Sequence, residues 1–425
     1  MDTTDSDASL AESQDYPLQA VPREKRRSAV SLYFVLTGFT FFTATMFGGG
    51  LIGVAFPFWP DLTLIIIGGN LLLGAYAAVL AWIAGHSGLN TVQMARYAFG
   101  QQGSSIVDLV LSVTQIGWYA WGCAAVALFL KERFHLDENV YTVLVIVLGL
   151  AFCWTAWIGY RGLEILSLVA VPLMVVLIAF SLYSGWQQAG GLDGLLAIPA
   201  VKSMSIGSAV TIVFGTFVSG ATQVTNWARF APRASTAVWA TLVAFFLGNG
   251  LMIFTGAMGA LVYGQADLVQ VLILQGLLGW GVIMLFLNIW TTQDNTIYNF
   301  SVAGCTLLRS NRRRLITLGG AVIGTILALC GIYDVLPGFL TTLSVVIPPV
   351  GGILMADYLI VRKRRYPDGQ VQSPLAWNFK AITALLVGAL SSAILVWLDA
   401  GLPPVAGIVN AFVCFAVLER LAGTH

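Results

Sequence analysis

Long apolar stretches separated by short polar segments run along most of the chain. About twelve of these stretches are long enough to cross the roughly 30 Å hydrocarbon core of a bilayer. They run near 29–56, 62–85, 103–129, 140–159, 163–186, 206–225, 237–263, 274–299, 315–333, 336–361, 376–398 and 403–418. An unpaired backbone polar group in lipid costs several kcal/mol, and the stretches are much longer than membrane-barrel strands. The pattern therefore predicts an all-α polytopic membrane protein with twelve transmembrane helices.

Two of the predicted spans are interrupted by glycine and polar residues. The first contains FFTATMFGGGLIG, residues 41–53, and the sixth contains GTFVSGATQ, residues 215–223. Broken helices at corresponding positions of two halves are typical of the midplane site of a transporter. We therefore expect an inverted repeat of two five-helix units, 29–186 and 206–361, although no residue-by-residue repeat is visible. For the GGG run alone, a simple helix-packing surface is an equally good interpretation.

The two ends of the chain complete this division. Residues 1–28 are polar and begin without the basic start and apolar middle of a signal peptide, so we predict a disordered cytoplasmic tail. Residues 376–425 are predicted to form two trailing helices and a short cytoplasmic tail.

One face of the eighth span is polar. At about 100° per residue, a sector of roughly 100° contains Asn288, Thr291, Thr292, Asn295 and Asn299. Hydroxyls and exposed backbone carbonyls are hard, neutral oxygen ligands, which suit a small alkali cation. Single Thr and Asn side chains more often bond the preceding helical turn or join neighbouring helices. The stripe as a whole favours a cation site.

Two further pairs of residues predict a site for a planar ring. Gln115 and Trp118 are three residues apart in the third span and share one helical face. An indole face beside an amide that donates and accepts suits a planar heteroaromatic ligand, although Trp in membrane helices more often packs or lies at the interface. Phe217 and Ser219 are two residues apart in the sixth span, so they can face one site only where the helix is unwound. The neighbouring Gly215 permits that unwinding.

Composition and charge agree with a membrane protein. With 58% apolar and 10% charged residues, the 425-residue chain has too little polar surface for a soluble globule, and its mean hydropathy is +0.84. If the amino terminus is cytoplasmic, only Lys131, Arg133 and Lys202 of the 21 basic residues fall outside. This distribution predicts a multi-pass protein of the cytoplasmic (inner) membrane, with both termini in the cytoplasm.

No residue pattern supports catalysis. The five cysteines form no CxxC pair, and the three histidines lie in predicted loops or at the carboxyl terminus. A lipid-modifying enzyme would need a nucleophile with a base, whereas Asp294 is the only carboxylate well inside a span near the predicted site. Its helical phase is about 120° from Asn288, so we expect it to bond an amide or hydroxyl of a neighbouring helix. A channel would need a continuous polar path, whereas the polar groups cluster at the midplane. We predict neither an enzyme nor a nucleic-acid or obligate protein partner.

Seven segments together resemble a known family. In chain order they are FFTATM, GNLLLGAY, TQIGW, GTFVSG, AFFLGNG, LNIWTT and IPPVGGILMADYL. At these intervals they are similar to the bacterial cytosine permeases of the nucleobase cation symporter family, also called the purine-cytosine permease family. The resemblance runs from about Val30 to Arg365 and more loosely to the end. It implies the twelve-helix inverted-repeat fold of the leucine-transporter class, and sodium-coupled uptake of a nucleobase, with cytosine as the expected substrate, by alternating access.

The resemblance also implies which residues hold the base. Trp118 and Phe217 are expected to sandwich the ring, while Gln115, Ser219 and Asn288 are expected to satisfy its polar edge.

The implied sodium site consists of oxygen atoms from the first and eighth spans. Its expected ligands are the backbone carbonyls of Phe42, Thr45 and Asn288 and the hydroxyls of Thr291 and Thr292. Since Asn288 would touch both sodium and base, each would raise the affinity for the other. The segment 336–352 resembles the mobile gate of the family.

Three positions depart from the cytosine members of the family. Those members carry Asn in place of Gln293, Ser in place of Thr216 and Asp in place of Asn226. Gln293 lies about 140° around the helix from Asn288, so we expect it to change helix packing and leave the ligand contacts alone. Symport of another planar ring stays an alternative: another pyrimidine or purine base, a hydantoin, allantoin or hydroxymethylpyrimidine, with sodium or a proton as the coupling ion.

Overall fold

The computed structural model describes residues 16–200, 203–265, 271, 274–276, 278–367 and 375–421. These residues form helices joined by short segments, and no β-strand occurs among them. The helices are α1 Ala29–Thr40, α2 Thr43–Gly53, α3 Thr63–Ser87, α4 Thr91–Phe99, α5 Ser104–Phe134, α6 Glu138–Ala151, α7 Cys153–Ile158, α8 Tyr160–Ala189, α9 Gly191–Ala197, α10 Ile206–Gly215, α11 Val218–Thr222, α12 Thr225–Ala228, α13 Ala234–Leu242, α14 Asn249–Tyr263, α15 Leu278–Leu307, α16 Arg313–Leu329, α17 Leu336–Val346, α18 Pro348–Ala356, α19 Phe379–Trp397 and α20 Pro403–Leu421. A π-helical segment, Val243–Gly248, joins α13 to α14, and another, Asp357–Val361, follows α18.

The helices confirm the predicted all-α membrane architecture. In the described part of the chain, eight helices are long and apolar enough to cross a membrane, or ten if each of two bent pairs is one span. The predicted eighth and ninth spans coincide with α15, which carries the polar stripe, and α16, which is 17 residues long. Each of the twelve predicted apolar stretches thus corresponds to a helix, a run of consecutive helices or a bent pair.

The first bent pair is α1 and α2, which meet at an angle of 52°. Only Phe41 and Phe42 separate the two helices, and Phe42 is extended, with φ −128° and ψ 127°. The interruption predicted over 41–53 is therefore confined to its first two residues. The GGG run lies inside α2 as a packing surface, because a Cβ atom on Gly49 would lie 2.1 Å from the carbonyl oxygen of Ile253 on α14.

The second bent pair is α10 followed by the short helices α11 and α12, with a bend of 58°. The bend lies at Thr216 and Phe217, and Phe217 has φ −136° and ψ 11°. The predicted unwinding of the sixth span is present, and it falls directly before the Phe217 ring. Both breaks lie within their spans, so the two gaps bring non-helical backbone to the interior of the protein.

The amino-terminal segment differs from its prediction. Residues 1–15 lie outside the described residues, but 16–28 pack against the helices and do not form a disordered tail. The carbonyl of Pro17 accepts hydrogen bonds from the side-chain amides of Asn90 and Gln93, each 3.2 Å long. Buried donors require acceptors, and the backbone of this segment supplies them. The sequence did not predict these contacts, because they are made by the main chain of segment 16–28 and do not depend on its polar side chains.

Candidate substrate and cation site

A small cavity lies beside the two helix breaks. Residues of α1, α5, α11 and α15 and of the two breaks line it. Its lining consists of Phe39, Phe42, Gln115, Trp118, Thr216, Phe217, Ser219, Gly220, Thr292 and Thr296. Four of the five predicted base-binding residues therefore share one cavity, and Asn288 is outside this set.

Aromatic rings form most of the cavity wall. The ring of Phe42 meets Trp118 edge-on at a centroid distance of 5.4 Å and meets Phe217 edge-on at 6.3 Å. Trp118 and Phe217 thus both lie beside one perpendicular ring and line the same space. Trp118 also donates from Nε1 to the hydroxyl of Ser219 at 3.2 Å, which joins α5 to α11 across the cavity. A planar ring is the ligand shape that such a wall accommodates.

Gln115 is a buried amide in the lining of this cavity. The side chain is 1% exposed, and among the described residues neither Nε2 nor Oε1 has a hydrogen-bond partner. Leaving a buried donor and a buried acceptor unpaired costs roughly 1–3 kcal/mol each. A ligand edge with one acceptor and one donor would remove that cost.

The Asn288 side chain points away from this lining. Its Oδ1 accepts a hydrogen bond of 2.8 Å from the Thr43 hydroxyl at the start of α2, and its Nδ2 lies 3.2 Å from Met174 Sδ. These bonds leave one amide hydrogen and one lone pair of Oδ1 available, but the Asn288 side chain is not part of the cavity lining. The role assigned to it from the sequence stays a prediction.

Backbone oxygens gather around one hydroxyl where α15 meets the first break. Thr292 Oγ1 lies 3.3 Å from the carbonyl oxygen of Phe39, 3.4 Å from that of Phe41 and 3.3 Å from that of Asn288. One hydroxyl proton cannot satisfy three carbonyls. The Thr291 hydroxyl lies at the same cluster, because it donates to the Asn288 carbonyl at 2.8 Å. This surplus of neutral oxygen atoms fits a small hard cation such as sodium.

The first-span carbonyls that approach Thr292 differ from those expected. The predicted ligands were the carbonyls of Phe42 and Thr45, but the carbonyl of Phe42 accepts from the backbone N–H of Thr45 at 3.1 Å and from its hydroxyl at 2.7 Å. The carbonyls of Phe39, in the last turn of α1, and of Phe41, in the break, face Thr292 instead. Among the described residues, no group of three His, Cys, Asp or Glu could hold a metal ion.

Gln293 lies behind Trp118. Its Nε2 donates to the Trp118 carbonyl at 3.3 Å, and a Cβ atom on Gly122 would lie 1.6 Å from the same nitrogen. Gln293 does not line the cavity, in agreement with its predicted packing role. It nevertheless contacts the backbone that carries the stacking indole. Asn226, another departure from the family, pairs with Asn299 at 2.8 Å.

Thr296 lines the cavity but was missed in the sequence. It lies one helical turn after Thr292 on the same side of α15, and that spacing was the available signal. Its hydroxyl donates to the carbonyl of Gln293 at 2.8 Å and so can still accept a bond from a ligand.

Asp294 has the supporting position that its helical phase predicts. The Thr155 hydroxyl of α7 donates to its Oδ2 at 2.9 Å, and the Asn295 side-chain amide donates to its Oδ1 at 3.0 Å. Since the carboxyl group bonds a neighbouring helix and is absent from the cavity lining, it fastens α15 to α7.

Comparison with known proteins agrees with this architecture. Residues 20–415 match the family of permeases for cytosine/purines, uracil, thiamine and allantoin. The chain is 36% identical to the cytosine permease of Escherichia coli strain K12 over 412 residues, covering 97% of this chain and 96% of that protein. It is 23% identical to the hydantoin permease of Microbacterium maritypicum, covering 76% of this chain and 71% of that one.

Solved structures share the fold. The nucleobase-cation-symport-1 transporter Mhp1, in a closed conformation with bromovinylhydantoin bound, superposes with a TM-score of 0.84 at 17% identity, covering 96% of this chain and 95% of Mhp1. A Na⁺-coupled sialic acid symporter matches with a TM-score of 0.67 at 12% identity, covering 93% and 90%. The chain therefore belongs to the cytosine/purine, uracil, thiamine and allantoin permeases of the nucleobase cation symporter family, and it is a transporter of that class rather than an enzyme.

Proposed function

We propose that the protein carries cytosine into the cell by sodium-coupled symport with alternating access. The 36% identity to a cytosine permease over nearly the whole chain supports the substrate. In this account the ring lies between Trp118 and Phe217, its edge bonds Gln115 and Ser219, and Asn288 joins when its side chain turns towards the cavity.

The unpaired amide of Gln115 is the observation that carries this proposal. It offers one donor and one acceptor inside an otherwise aromatic cavity. Cytosine presents adjacent donors and acceptors along one edge of a flat ring, so a single amide can bond two of its atoms at once. Stacking on an aromatic side chain contributes roughly 1–3 kcal/mol per base.

Sodium is proposed to bind among the oxygens around Thr292. Thr291, Thr292 and the carbonyl of Asn288 would supply the α15 ligands, and Phe39 and Phe41 would supply carbonyls at the end of α1 and in the break. The Phe42 and Thr45 carbonyls are the ligands expected from the family resemblance. The Phe42 carbonyl already accepts two bonds from Thr45, so it would join after one of them is released. With about 100 mV across the membrane, one sodium ion contributes about 2.3 kcal/mol, or roughly fiftyfold accumulation before its concentration gradient is added.

Thr292 connects the two proposed ligands. Its side chain lines the cavity, and its hydroxyl lies among the carbonyls of the cation site. A bound cation that fixes this side chain would therefore shape the cavity floor for the ring. Thermodynamic linkage then requires that the ring raise the affinity for sodium by the same factor.

The proposed location is the cytoplasmic (inner) membrane, with both termini in the cytoplasm. In support, this orientation leaves only Lys131, Arg133 and Lys202 of the 21 basic residues on the outer side.

Equilibrium binding of radiolabelled cytosine in detergent tests the substrate. We expect saturable binding that unlabelled cytosine displaces better than uracil, hydantoin, allantoin or hydroxymethylpyrimidine does. Gln115→Leu should weaken cytosine binding at least about tenfold, because the ring edge would lose both partners. Gln187→Leu is the matched control, since Gln187 bonds Tyr183 in the same helix, away from the cavity. Preferential displacement by another ring would identify that ring as the substrate instead.

A further inference from the structure

Two buried asparagines lie behind the break in the sixth span and outside the cavity lining. Asn70 on α3 is 1% exposed and Asn249 at the start of α14 is 0% exposed. They belong to the GNLLLGAY and AFFLGNG segments, and no residue of either segment is in the cavity lining. Asn249 Nδ2 donates to Asn70 Oδ1 at 2.8 Å and to the Thr216 hydroxyl oxygen at 3.3 Å.

The direction of each hydrogen bond in this set is fixed by its neighbours. Asn70 Nδ2 donates to the Ile66 carbonyl at 2.8 Å, so its Oδ1 is left to accept from Asn249. The Thr216 hydroxyl donates its proton to the Val213 carbonyl at 2.7 Å, so its oxygen accepts from Asn249. Both hydrogens of the Asn249 amide nitrogen are thereby used. Its Oδ1 is buried and has no partner in the part of the chain that the structure describes, and an unpaired buried group in a native structure requires an explanation.

The Val213 carbonyl explains why the set lies at this point. In a continuous α-helix this carbonyl would accept from the backbone N–H four residues later, which belongs to Phe217. At the break, the Phe217 N–H donates instead to the Phe214 carbonyl at 3.4 Å. The Val213 carbonyl, which loses its helical donor at the break, accepts from the Thr216 hydroxyl instead. Asn249 in turn donates to the oxygen of that hydroxyl.

Close packing of α3 against α10 keeps the set in place. A Cβ atom on Gly69 would lie 2.7 Å from Val213 Cγ1, so only glycine permits this approach beside Asn70. On the opposite side, a Cβ atom on Gly48 would lie 2.8 Å from Thr216 Cγ2. Thr216 is thus confined by α2 and bonded by α14, directly before the residue that carries the stacking ring.

We propose that Asn249 is a positioning residue for ring binding, oriented by Asn70 and acting through the Thr216 hydroxyl. It holds the non-helical backbone of the sixth span so that the Phe217 ring faces the cavity opposite Trp118. The inference rests on the proposed function only in requiring that a planar ring bind between these side chains. The identity of the ring does not enter.

A double-mutant cycle on Asn249 and Thr216 tests this inference. Asn249→Ala and Thr216→Val should each weaken ring binding about tenfold, while Thr216→Ser keeps the hydroxyl and stays near the unaltered protein. The double variant should bind no more weakly than the weaker single variant, because both changes break the same connection. Sodium-induced thermal stabilisation should be unchanged in Asn249→Ala, since the cation cluster lies on α1 and α15.

The outcomes separate a positioning role from a structural one. Additive losses, or a fall in thermal stability with unchanged ring affinity, would overturn the proposal. If Asn249→Ala does not fold, Asn70→Leu removes the orienting acceptor from a more remote site, and normal ring binding in that variant would also overturn it. The cycle uses the tightest ligand found among cytosine and its competitors, so failure of cytosine to bind contradicts the proposed function and not this inference.

Discussion

Hydrogen bonding distinguishes the Gln115 side chain from those of Asn288 and Asp294. Gln115 is buried with no partner at either amide atom among the described residues, whereas Asn288 bonds Thr43 and Asp294 bonds Thr155. Helical phase alone placed Asn288 on the ligand face and Asp294 off it. The second assignment is confirmed by the contacts, and the first stays a prediction because Asn288 has other partners here.

The Thr292 hydroxyl gives a prediction at this scale. Thr292→Val keeps the shape of the side chain but removes the oxygen that faces three carbonyls, so we expect sodium affinity to fall at least about tenfold. Thr292→Ser should keep most of the affinity. Sodium-dependent thermal stabilisation of the purified protein measures the effect.

A matched control is available on α14. The Thr255 hydroxyl bonds only the Leu251 carbonyl of its own helix, at 2.7 Å, so Thr255→Val removes a hydroxyl without touching the cation cluster. Equal sodium responses in Thr292→Val and the unaltered protein would place the cation elsewhere.

Helices follow from the sequence more fully than the joints between them do. Apolar run lengths located all twelve stretches, because a membrane helix needs about 20 apolar residues. The sequence contains no comparable signal for the direction of backbone carbonyls in a non-helical joint, since all residues have the same backbone atoms. For that reason the sequence located the break near Phe41 and Phe42 but not the carbonyls of Phe39 and Phe41 that face Thr292. The docked segment 16–28 escaped prediction for the same reason.

The glycine contact between α2 and α14 makes a prediction for these elements. Gly49→Ala would bring a Cβ atom within 2.1 Å of the Ile253 carbonyl oxygen, and backbone on both sides leaves no flexible group to move. We expect a loss of about 1–3 kcal/mol in the free energy of unfolding, because such overpacking forces backbone shifts. Thermal unfolding in detergent measures it.

Gly319 on α16 provides the comparison for that variant. A Cβ atom built on it would meet no atom of another described element within 4 Å, so Gly319→Ala should be neutral or slightly stabilising. If both substitutions leave the unfolding temperature unchanged, α2 does not depend on this close approach.

At the scale of the whole molecule, aromatic and backbone contacts join elements that are distant along the chain. The ring of Phe339 on α17 meets Trp118 edge-on at 5.2 Å, and Tyr333 stacks on Trp121 at 5.4 Å with an interplanar angle of 13°. Segment 16–28 joins α4 to the end of α12 through the carbonyls of Pro17 and Tyr16.

The contact between Phe339 and Trp118 predicts an effect on the rate of ring dissociation. An aromatic contact of this type contributes about 0.5–1.5 kcal/mol, so Phe339→Ala should speed ring dissociation by about two- to tenfold. The association rate should change less. Phe379→Ala is the control, because Phe379 is 70% exposed on α19. Identical dissociation rates in the two variants would mean that Phe339 does not retain the ring.

Uptake of radiolabelled cytosine into proteoliposomes tests the central claim most directly. An inward sodium gradient should drive accumulation above equilibrium, and replacing external sodium with potassium should abolish it. Thr291→Ala combined with Thr292→Ala should abolish it as well. Accumulation that persists without sodium, or that follows an imposed proton gradient instead, would contradict the coupling; the absence of any cytosine uptake would contradict the substrate.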